Sequence, residues 1–301
     1  MAPDPPECLV RWLQRHLGQD LVDRSPVGGG CIHRAWRLEL AGGGLAFAKT
    51  NTAARLPLLE AEVLGLRALA SHAPPGLVIP EPLAWGVAGE QAVLVLGWLN
   101  LGGRLGGVAA RQSWFRLGQG LAGLHRSSAA NAPAAGYGWA ADNFIGSAPQ
   151  INRWCQDWGP FFAECRLAPQ LDRAARGGHP LQGGQLLLER LPQWLAGHCC
   201  QPALVHGDLW SGNAGLLADG AAAIFDPACY WGDREVDLAM AQLFGGFPPA
   251  FFEGYVGTWP LEPGAAKRVA LYNLYHLINH ANLFGGDYLR QAQASINDLL
   301  A

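Results

Sequence analysis

The stretch His206-Gly207-Asp208-Leu209-Trp210-Ser211-Gly212-Asn213 constrains this chain more than any other. It follows the apolar triplet Ala203-Leu204-Val205 and reads as a polar loop. Within it an Asp stands two residues after a His, and an Asn five residues after the Asp. At that spacing one loop presents a proton-accepting carboxylate and a metal-coordinating amide oxygen to the same phosphoryl group. Four fixed positions recur by chance about 0.002 times in a chain of this length. A second apolar run, Ala221–Phe225, ends at Asp226-Pro227. A carboxylate at a strand end, beside an Asn and another carboxylate, supplies the hard oxygen ligands that Mg2+ takes and shares with nucleotide phosphates. Either Asp alone would read as a turn or cap residue. The joint spacing instead points to phosphoryl transfer, and the fold must then bring Asp208, Asn213 and Asp226 together.

Such a site needs a cradle and a cation for the phosphates. Val27-Gly28-Gly29-Gly30-Cys31 precedes two strand-like segments. Trp36, Leu38 and Leu40 alternate with Arg37 and Glu39, Gly42-Gly43-Gly44 makes a turn, and Leu45, Phe47 and Lys49 share one face of the next strand. Glycines let backbone N–H groups approach phosphate oxygens, although a run of three also makes a plain turn. Lys49 points inward, where a lone ammonium is costly, so it needs an anionic partner. Leu59, Val63, Leu66 and Ala70 recur at helical spacing up to the break at Pro74-Pro75-Gly76. Glu62 lies on that stripe and Glu60 falls off it, so the spacing predicts a Lys49–Glu62 pair between strand and helix, aimed at phosphates. The alternative is a plain buried ion pair. Of the 21 basic residues only Lys49 and Lys267 are lysines. Position 49 suits a compact ammonium on a flexible stem better than the planar fork of Arg, whereas Lys267 carries no such argument.

Val93–Leu96 is a further strand, leading into Gly97–Gly107, which holds five glycines and reads as a hinge; beyond it the chain is mostly helical, with Ala221–Phe225 as a strand-like island. The expected class is α+β and bilobal. Residues 1–97 form a small, β-rich nucleotide-binding lobe with one key helix, and residues 98–301 a larger, mostly helical catalytic and substrate-binding lobe. A chain that is 50% apolar, 15% charged and of net charge −3 is neither disordered nor built for a broad nucleic-acid or anionic-membrane footprint. Met1–Leu21 lacks a basic start followed by an apolar run, and no apolar stretch approaches a membrane span, so a cytoplasmic location is expected. The seven cysteines include no C-x-x-C pair, which supports neither a disulfide framework nor a zinc site.

With Lys49, Glu62, Asp208, Asn213 and Asp226 in that order, the chain resembles the protein-kinase-like superfamily and, within it, the fructosamine kinase (ketosamine-3-kinase) family. The resemblance covers about residues 20–290 and lies in longer strings: Gly29-Gly30-Cys31-Ile32, Ala48-Lys49-Thr50-Asn51, Asp142-Asn143-Phe144-Ile145-Gly146 with Gln150, Asn152 and Trp154, the whole of His206–Asn213, Asp226-Pro227-Ala228 with Tyr230, and Asn279-His280 with Asn282. Aminoglycoside and choline phosphotransferases share the His-Gly-Asp-x-x-x-x-Asn loop but not Leu209-Trp210-Ser211-Gly212. Asp226-Pro227-Ala228 also replaces the Asp-Phe-Gly of protein kinases.

This resemblance implies a bilobal protein-kinase-like fold and ATP-dependent phosphorylation of the C3 hydroxyl of a ketosamine, free or on a protein lysine. The phosphate is unstable and releases the amine, a deglycation repair. ATP and Mg2+ are the implied cofactors. Asp208 would accept the hydroxyl proton, Asn213 and Asp226 would hold Mg2+, and Lys49, positioned by Glu62, would neutralise the phosphates. Gly28, Gly29, Gly30 and Cys31 would cover the phosphates, with oxidation of Cys31 inhibitory. The adenine would lie by Leu96 and Trp98, although Gly97-Trp98 stands where relatives often carry a Glu. Trp210 is a candidate platform for the sugar, with core packing as the equal alternative. Asn273, His276 and His280 make a polar stripe on a helix near Val269–Asn282, opposite Leu271, Leu274 and Ile278; His280, within a family string, is the candidate substrate residue. Two alternatives remain: a kinase of the aminoglycoside or choline type, and a nucleotide-binding pseudokinase. The latter predicts loss of one of the phosphotransfer residues, and all are present. Expected partners are a ketosamine substrate, with no nucleic acid and no membrane.

Overall fold

The computed structural model describes residues 7–28, 32–102 and 107–301; Gly29, Gly30 and Cys31 of the glycine run lie outside them. The N-terminal region comprises α1 (Glu7–Leu17), β1 (Leu21–Val27), β2 (Arg34–Leu40), β3 (Leu45–Thr52), α2 (Leu56–His72), β4 (Leu77–Val78), β5 (Pro82–Ala88) and β6 (Gln91–Gly97). Five of these strands form one antiparallel sheet in the order β1-β2-β3-β6-β5. Both faces of the sheet are covered, which is why β6 reads as a continuous apolar run. Val93 and Val95 face α1 with Ala46, Ala48, Leu38 and Trp12, while Ala92, Leu94 and Leu96 face α2 with Leu59, Val63 and Leu66.

The sequence predicts a single helix in this region, and α1 is a second. Its apolar positions Leu9, Trp12 and Leu13 are buried on the sheet, but the helix is short and carries Glu7, Arg11, Arg15 and His16 around them. On α2 the stripe runs through Leu69 rather than Ala70, which is exposed.

The remainder comprises α3 (Gly107–Ala129), β7 (Asn143–Ile145), β8 (Ala148–Gln150), α4 (Trp158–Phe161), which passes through a wider π-type turn (Phe162–Leu167) into α5 (Ala168–Arg176), α6 (Gly184–Leu195), β9 (Ala203–Val205), β10 (Ala214–Leu216), β11 (Ala222–Ile224), β12 (Tyr230–Gly232), α7 (Glu235–Leu243), α8 (Pro249–Thr258), α9 (Ala265–Phe284) and α10 (Asp287–Leu300). Helices dominate as expected, but β7–β10 and β12 accompany the single strand island predicted from sequence. Short strands of three residues leave little periodicity to read. Helices α3 and α8 approach closely because Gly118 and Gly254 face each other's backbones: a Cβ would lie 1.9 Å from the Phe251 carbonyl oxygen and 2.0 Å from that of Phe115, respectively. Helix α9 starts earlier than expected, and Leu271–Asn279 are all buried, so its Asn273–His276 stripe faces protein rather than solvent. Strand β4 leaves the first sheet to pair in parallel with β11, Leu77 opposite Ala222, and so ties the two regions of the chain beside Asp226. Among the described residues no helix is long and apolar enough to cross a membrane.

Candidate active site

Buried β9 pairs antiparallel with β12 and delivers the chain into His206-Gly207-Asp208. The loop is anchored from below by Asp237 on α7, fully buried, whose carboxylate accepts the backbone N–H groups of His206 (2.7 Å) and Gly207 (2.8 Å) and a hydrogen bond from His125 Nε2 (3.1 Å). Burial alone would raise its pKa, but the His125 hydrogen bond and charge, with the Gly207 N–H, hold it below the usual carboxylate range. Gly207 sits at φ +80°, and a Cβ there would meet the Ala228 carbonyl oxygen at 2.2 Å, so this anchor needs glycine. His206 Nε2 donates to the Phe225 carbonyl (2.9 Å) and its Nδ1 accepts the Asp208 N–H (3.3 Å). Burial depresses its pKa, so a neutral ring links the Asp208 loop to the Asp226 loop.

Asn213 completes this junction. Its Nδ2 donates to the Asp208 carbonyl (2.8 Å), the Asp208 carboxylate (3.2 Å) and the Asp226 carbonyl (3.4 Å), leaving Oδ1 out of these bonds. Asp226 has φ 58°, the only positive φ outside glycine among the described residues, a conformation that costs energy and is held by its surroundings. Asp208 is half-buried; desolvation, then the charge of Asp226, pushes its pKa up to about 7. A carboxylate poised there suits proton acceptance near neutrality.

Lys49, on β3 between Ala35 of β2 and Leu94 of β6, reaches Glu62 of α2 at 2.8 and 2.9 Å and also contacts Asp226. Lys49 and Glu62 are 6% and 8% exposed, so the pair is buried and the predicted strand-to-helix bridge forms. Burial would lower the Lys49 pKa, but Asp226 and Glu62 hold it above its ordinary value. Burial raises Glu62 to about 7 despite Lys49. His33, beside this cluster, is pushed down to about 4 by burial and by Lys49, and is therefore neutral. Asn51 ties Ile32 and His33, which follow the glycine run, to β3 (2.9 and 3.0 Å). Helix α2 docks directly on the Asp226 loop: a Cβ on Gly65 would lie 3.1 Å from Pro227.

Asn143, Gln150 and Asn152 enter the sequence reading only as members of matching strings. In the structure they carry the loop after Asp226. Asn143 Nδ2 donates to the Cys229 carbonyl (2.8 Å), and Gln150 Nε2 to the Ala228 carbonyl (3.1 Å) and Asn143 Oδ1 (2.8 Å). Asn152 Nδ2 also reaches Asn143 Oδ1 (2.7 Å), while Arg166, fully buried over the Tyr230 ring at 3.7 Å, donates to Asn152 Oδ1 (2.8 Å). For Asn143 and Gln150 the signal is an amide on a short, otherwise apolar strand; Asn152 lies beyond β8. Asp237 offers none beyond its acidic place in a helix.

Of the remaining candidates, Gly28 is exposed at the end of β1, where a Cβ would meet nothing, and Gly29, Gly30 and Cys31 lie outside the described residues. Leu96 is packed in the α2 cluster, and Trp98 is half-buried with Arg37 near its ring (5.7 Å). Trp210 is 38% exposed and its ring crosses Gly212, where a Cβ would clash at 2.2 Å. His280 packs among Phe244, Tyr288 and Phe284, with centroids at 4.8, 5.2 and 5.6 Å. The 244–246 turn joins these two regions, since Gly246 abuts Ser211 while Phe244 stacks near His280.

Comparison with known proteins gives the family and the fold. The profile of the fructosamine kinase family matches residues 7–301. A probable ketoamine kinase from Synechocystis is 42% identical over 301 residues, covering 99% of this chain and 98% of the relative. A chloroplastic protein-ribulosamine 3-kinase from Oryza sativa subsp. indica is 36% identical, covering 92% of this chain and 78% of the relative. A solved structure from Haemophilus somnus, provisionally assigned as a fructosamine-3-kinase, superposes with TM-score 0.86 at 27% identity, covering 97% of each chain. A choline kinase from Streptococcus pneumoniae, with TM-score 0.57, 14% identity and 97% coverage of each chain, shares the fold.

Proposed function

The chain belongs to the fructosamine kinase family and is a kinase of the protein-kinase-like fold; from that premise we propose that it transfers the γ-phosphoryl group of ATP to the C3 hydroxyl of a ketosamine, free or on a protein lysine. The observation that carries this reading is the meeting of Lys49, Glu62 and Asp226 beside the Asn213-bound Asp208. The residue strings around that meeting point favour ketosamines over choline or aminoglycosides. Glycine-rich residues 97–107 mark the lobe boundary, with residues 1–97 and 98–301 on either side.

In the transfer step the C3 oxygen bonds to the γ-phosphorus as the bond to the bridging oxygen of ADP breaks, and the hydroxyl proton passes to the Asp208 carboxylate. Asn213 fixes that carboxylate through Nδ2. Lys49, held by Glu62, neutralises phosphate oxygens. Leu96 and Trp98 border the adenine, and Trp210 and His280 flank the sugar and its linked amine. Little covalent work falls to the protein, so placement and charge neutralisation account for most of the rate.

The donor set fits Mg2+: the Asp226 carboxylate and the unengaged Oδ1 of Asn213 are hard oxygens, and Asp226 is held in a left-handed conformation beside them. Bound there, the ion would neutralise the triphosphate and fix its geometry. The test is ATP consumption by purified protein against fructosamine, ribulosamine and erythrulosamine derivatives of one amine, with choline and kanamycin as controls. Turnover confined to the glycated amines, with phosphate on C3 by NMR, is expected; turnover of choline or kanamycin alone would falsify the reading.

A further inference from the structure

Away from Asp208, the turn between α6 and β9 faces the end of β12 across a cavity of about 130 Å3 lined by His198, Cys200, Asp233 and Glu235 among others. Nε2 of His198, Sγ of Cys200 and a carboxylate oxygen of Asp233 all lie within 4.8 Å of one another. The Asp233 carboxylate is buried and already oriented: Oδ2 accepts hydrogen bonds from Tyr272 Oη (2.6 Å) and from the imidazole of His198 (2.7 Å), and Oδ1 accepts the Glu235 N–H (3.1 Å). Trp158 Nε1 in turn donates to Tyr272 Oη (3.0 Å). Glu235 is taken by Arg268 through two bonds of 2.8 Å, so it does not compete for a ligand.

We propose that His198, Cys200 and Asp233 form a binding site for a borderline-soft divalent cation of the Zn2+ type. A thiolate with an imidazole selects such an ion over Mg2+, and three protein ligands with water in the fourth place is an ordinary zinc arrangement. Ligands around a tetrahedral zinc lie about 3.2–3.8 Å apart, so His198 must withdraw from Asp233 by about half an ångström while Cys200 closes in. Tyr272 and the Glu235 N–H supply the outer hydrogen bonds that hold a ligating carboxylate. Binding exchanges the Cys200 thiol proton, released to solvent, for the metal–sulfur bond, and the His198 ring proton moves from Nε2 to Nδ1 as Nε2 gives up its bond to Asp233 and takes the metal. The cysteine spacing conceals this site because it uses a His-x-Cys turn and a carboxylate brought from β12 rather than paired cysteines.

Placement gives the ion a mechanical role. Strand β9 runs into Asp208, and Gly232 pairs with Ala203, so the ion would clamp the β9–β12 pair at the end opposite the catalytic loop. The cation site stands independently of the phosphoryl-transfer reading. It is tested by titrating Co2+ into the full-length protein with excess Mg2+ and ATP, which saturate any hard oxygen site. One equivalent is expected to give a thiolate-to-cobalt charge-transfer band and four-coordinate d–d absorption, abolished in Cys200→Ala and Cys200→Ser and retained in Cys165→Ser and Cys199→Ser. Zn2+ should displace the cobalt and slow alkylation of Cys200 at least about tenfold, read by peptide mass spectrometry on the wild-type chain, so the test survives a variant that does not fold. No band with excess Co2+, a band that survives Cys200→Ala, or alkylation of Cys200 indifferent to Zn2+ overturns the site.

Discussion

Asp237 and Asp208 are acids enclosed by the same stretch of chain, but their neighbours differ in kind. Asp237 is surrounded by donors that the fold itself supplies, two loop N–H groups and His125, and its pKa falls. Asp208 faces Asp226, which shares Lys49 with Glu62, so two carboxylates share one ammonium and a third stands beside Asp226 with no cation of its own among the described contacts. Both Asp208 and Glu62 are pushed up to about 7. The first set of charges is satisfied by folding. The second is satisfied only when cations and phosphates arrive, which is the electrostatic signature of a site rather than of a scaffold.

The largest expected effects separate the two. Asp237→Ala strips the loop N–H groups and buried His125 of their acceptor and should cost about 3–5 kcal/mol of stability, with turnover lost along with the fold. Asp208→Asn should fold normally and bind ATP, yet lower turnover by about 10²–10⁴-fold. Chemical denaturation and steady-state kinetics on both variants decide it, and an unfolded Asp208→Asn or a stable Asp237→Ala would erase the distinction.

Next in size is the cation of the second set. Lys49→Arg keeps the charge but moves it on a rigid fork within a pair enclosed by Glu62 and Asp226, and should lower kcat/KM about 10²-fold. Lys267→Arg, on the exposed start of α9, should stay within about twofold of wild type. Equal losses in the two variants would remove any special role from position 49.

This division also marks what can be read from the sequence. The ordered residues Lys49, Glu62, Asp208, Asn213 and Asp226 are legible because each sits at a fixed distance from a strand or helix stripe, and local periodicity determines which way such residues point. The bilobal sheet-then-helix order follows from the same patterns. Asp237, Asn143 and Gln150 are not legible as supports because their partners are backbone groups brought in by tertiary contact, His206 and Gly207 in one case and Ala228 and Cys229 in the other. Helix α1 and the burial of the Asn273–His276 stripe escape for a related reason: each depends on what covers a face, and spacing along one element is silent about that.

The Asn143–Gln150 pair lies between the two extremes, since it belongs to the scaffold but holds the site. Gln150→Ala leaves the Ala228 carbonyl and Asn143 short of a donor and should cost about 1–3 kcal/mol in stability. Because that carbonyl belongs to the segment that holds Asp226 at φ 58°, the KM for Mg2+ should rise as well. A stability loss with unchanged Mg2+ dependence would place Gln150 in the scaffold alone.

The smallest effect is the most specific to the contrast. A carboxylate whose folded pKa is raised binds more protons folded than unfolded between its ordinary value and the raised one. Asp208 and Glu62, ordinarily near 3.8 and 4.5, therefore contribute stability that is present below about pH 4 and lost as pH rises through about 7. His33, depressed to about 4, and His72, His206, His276 and His280, also depressed by burial, act in the opposite sense as pH rises through about 6.5, so the informative quantity is the stability difference between wild type and Asp208→Asn over pH 6–8. In that window the difference should move against the ligand-free wild type as pH rises while its kcat/KM rises, because Asp208 must be ionised to accept a proton. Asp208→Asn removes one member of the repelling pair and should be more stable than wild type at pH 8 by on the order of 1 kcal/mol, after discount for the solvent that reaches this half-exposed group. Saturating Mg2+ and ATP should abolish that advantage, since they supply the countercharge the fold omits. If Asp208→Asn is no more stable than wild type at pH 8, the repulsion between Asp208 and Asp226 is already relieved within the protein, and Asp208 belongs with Asp237 among the charges that folding satisfies.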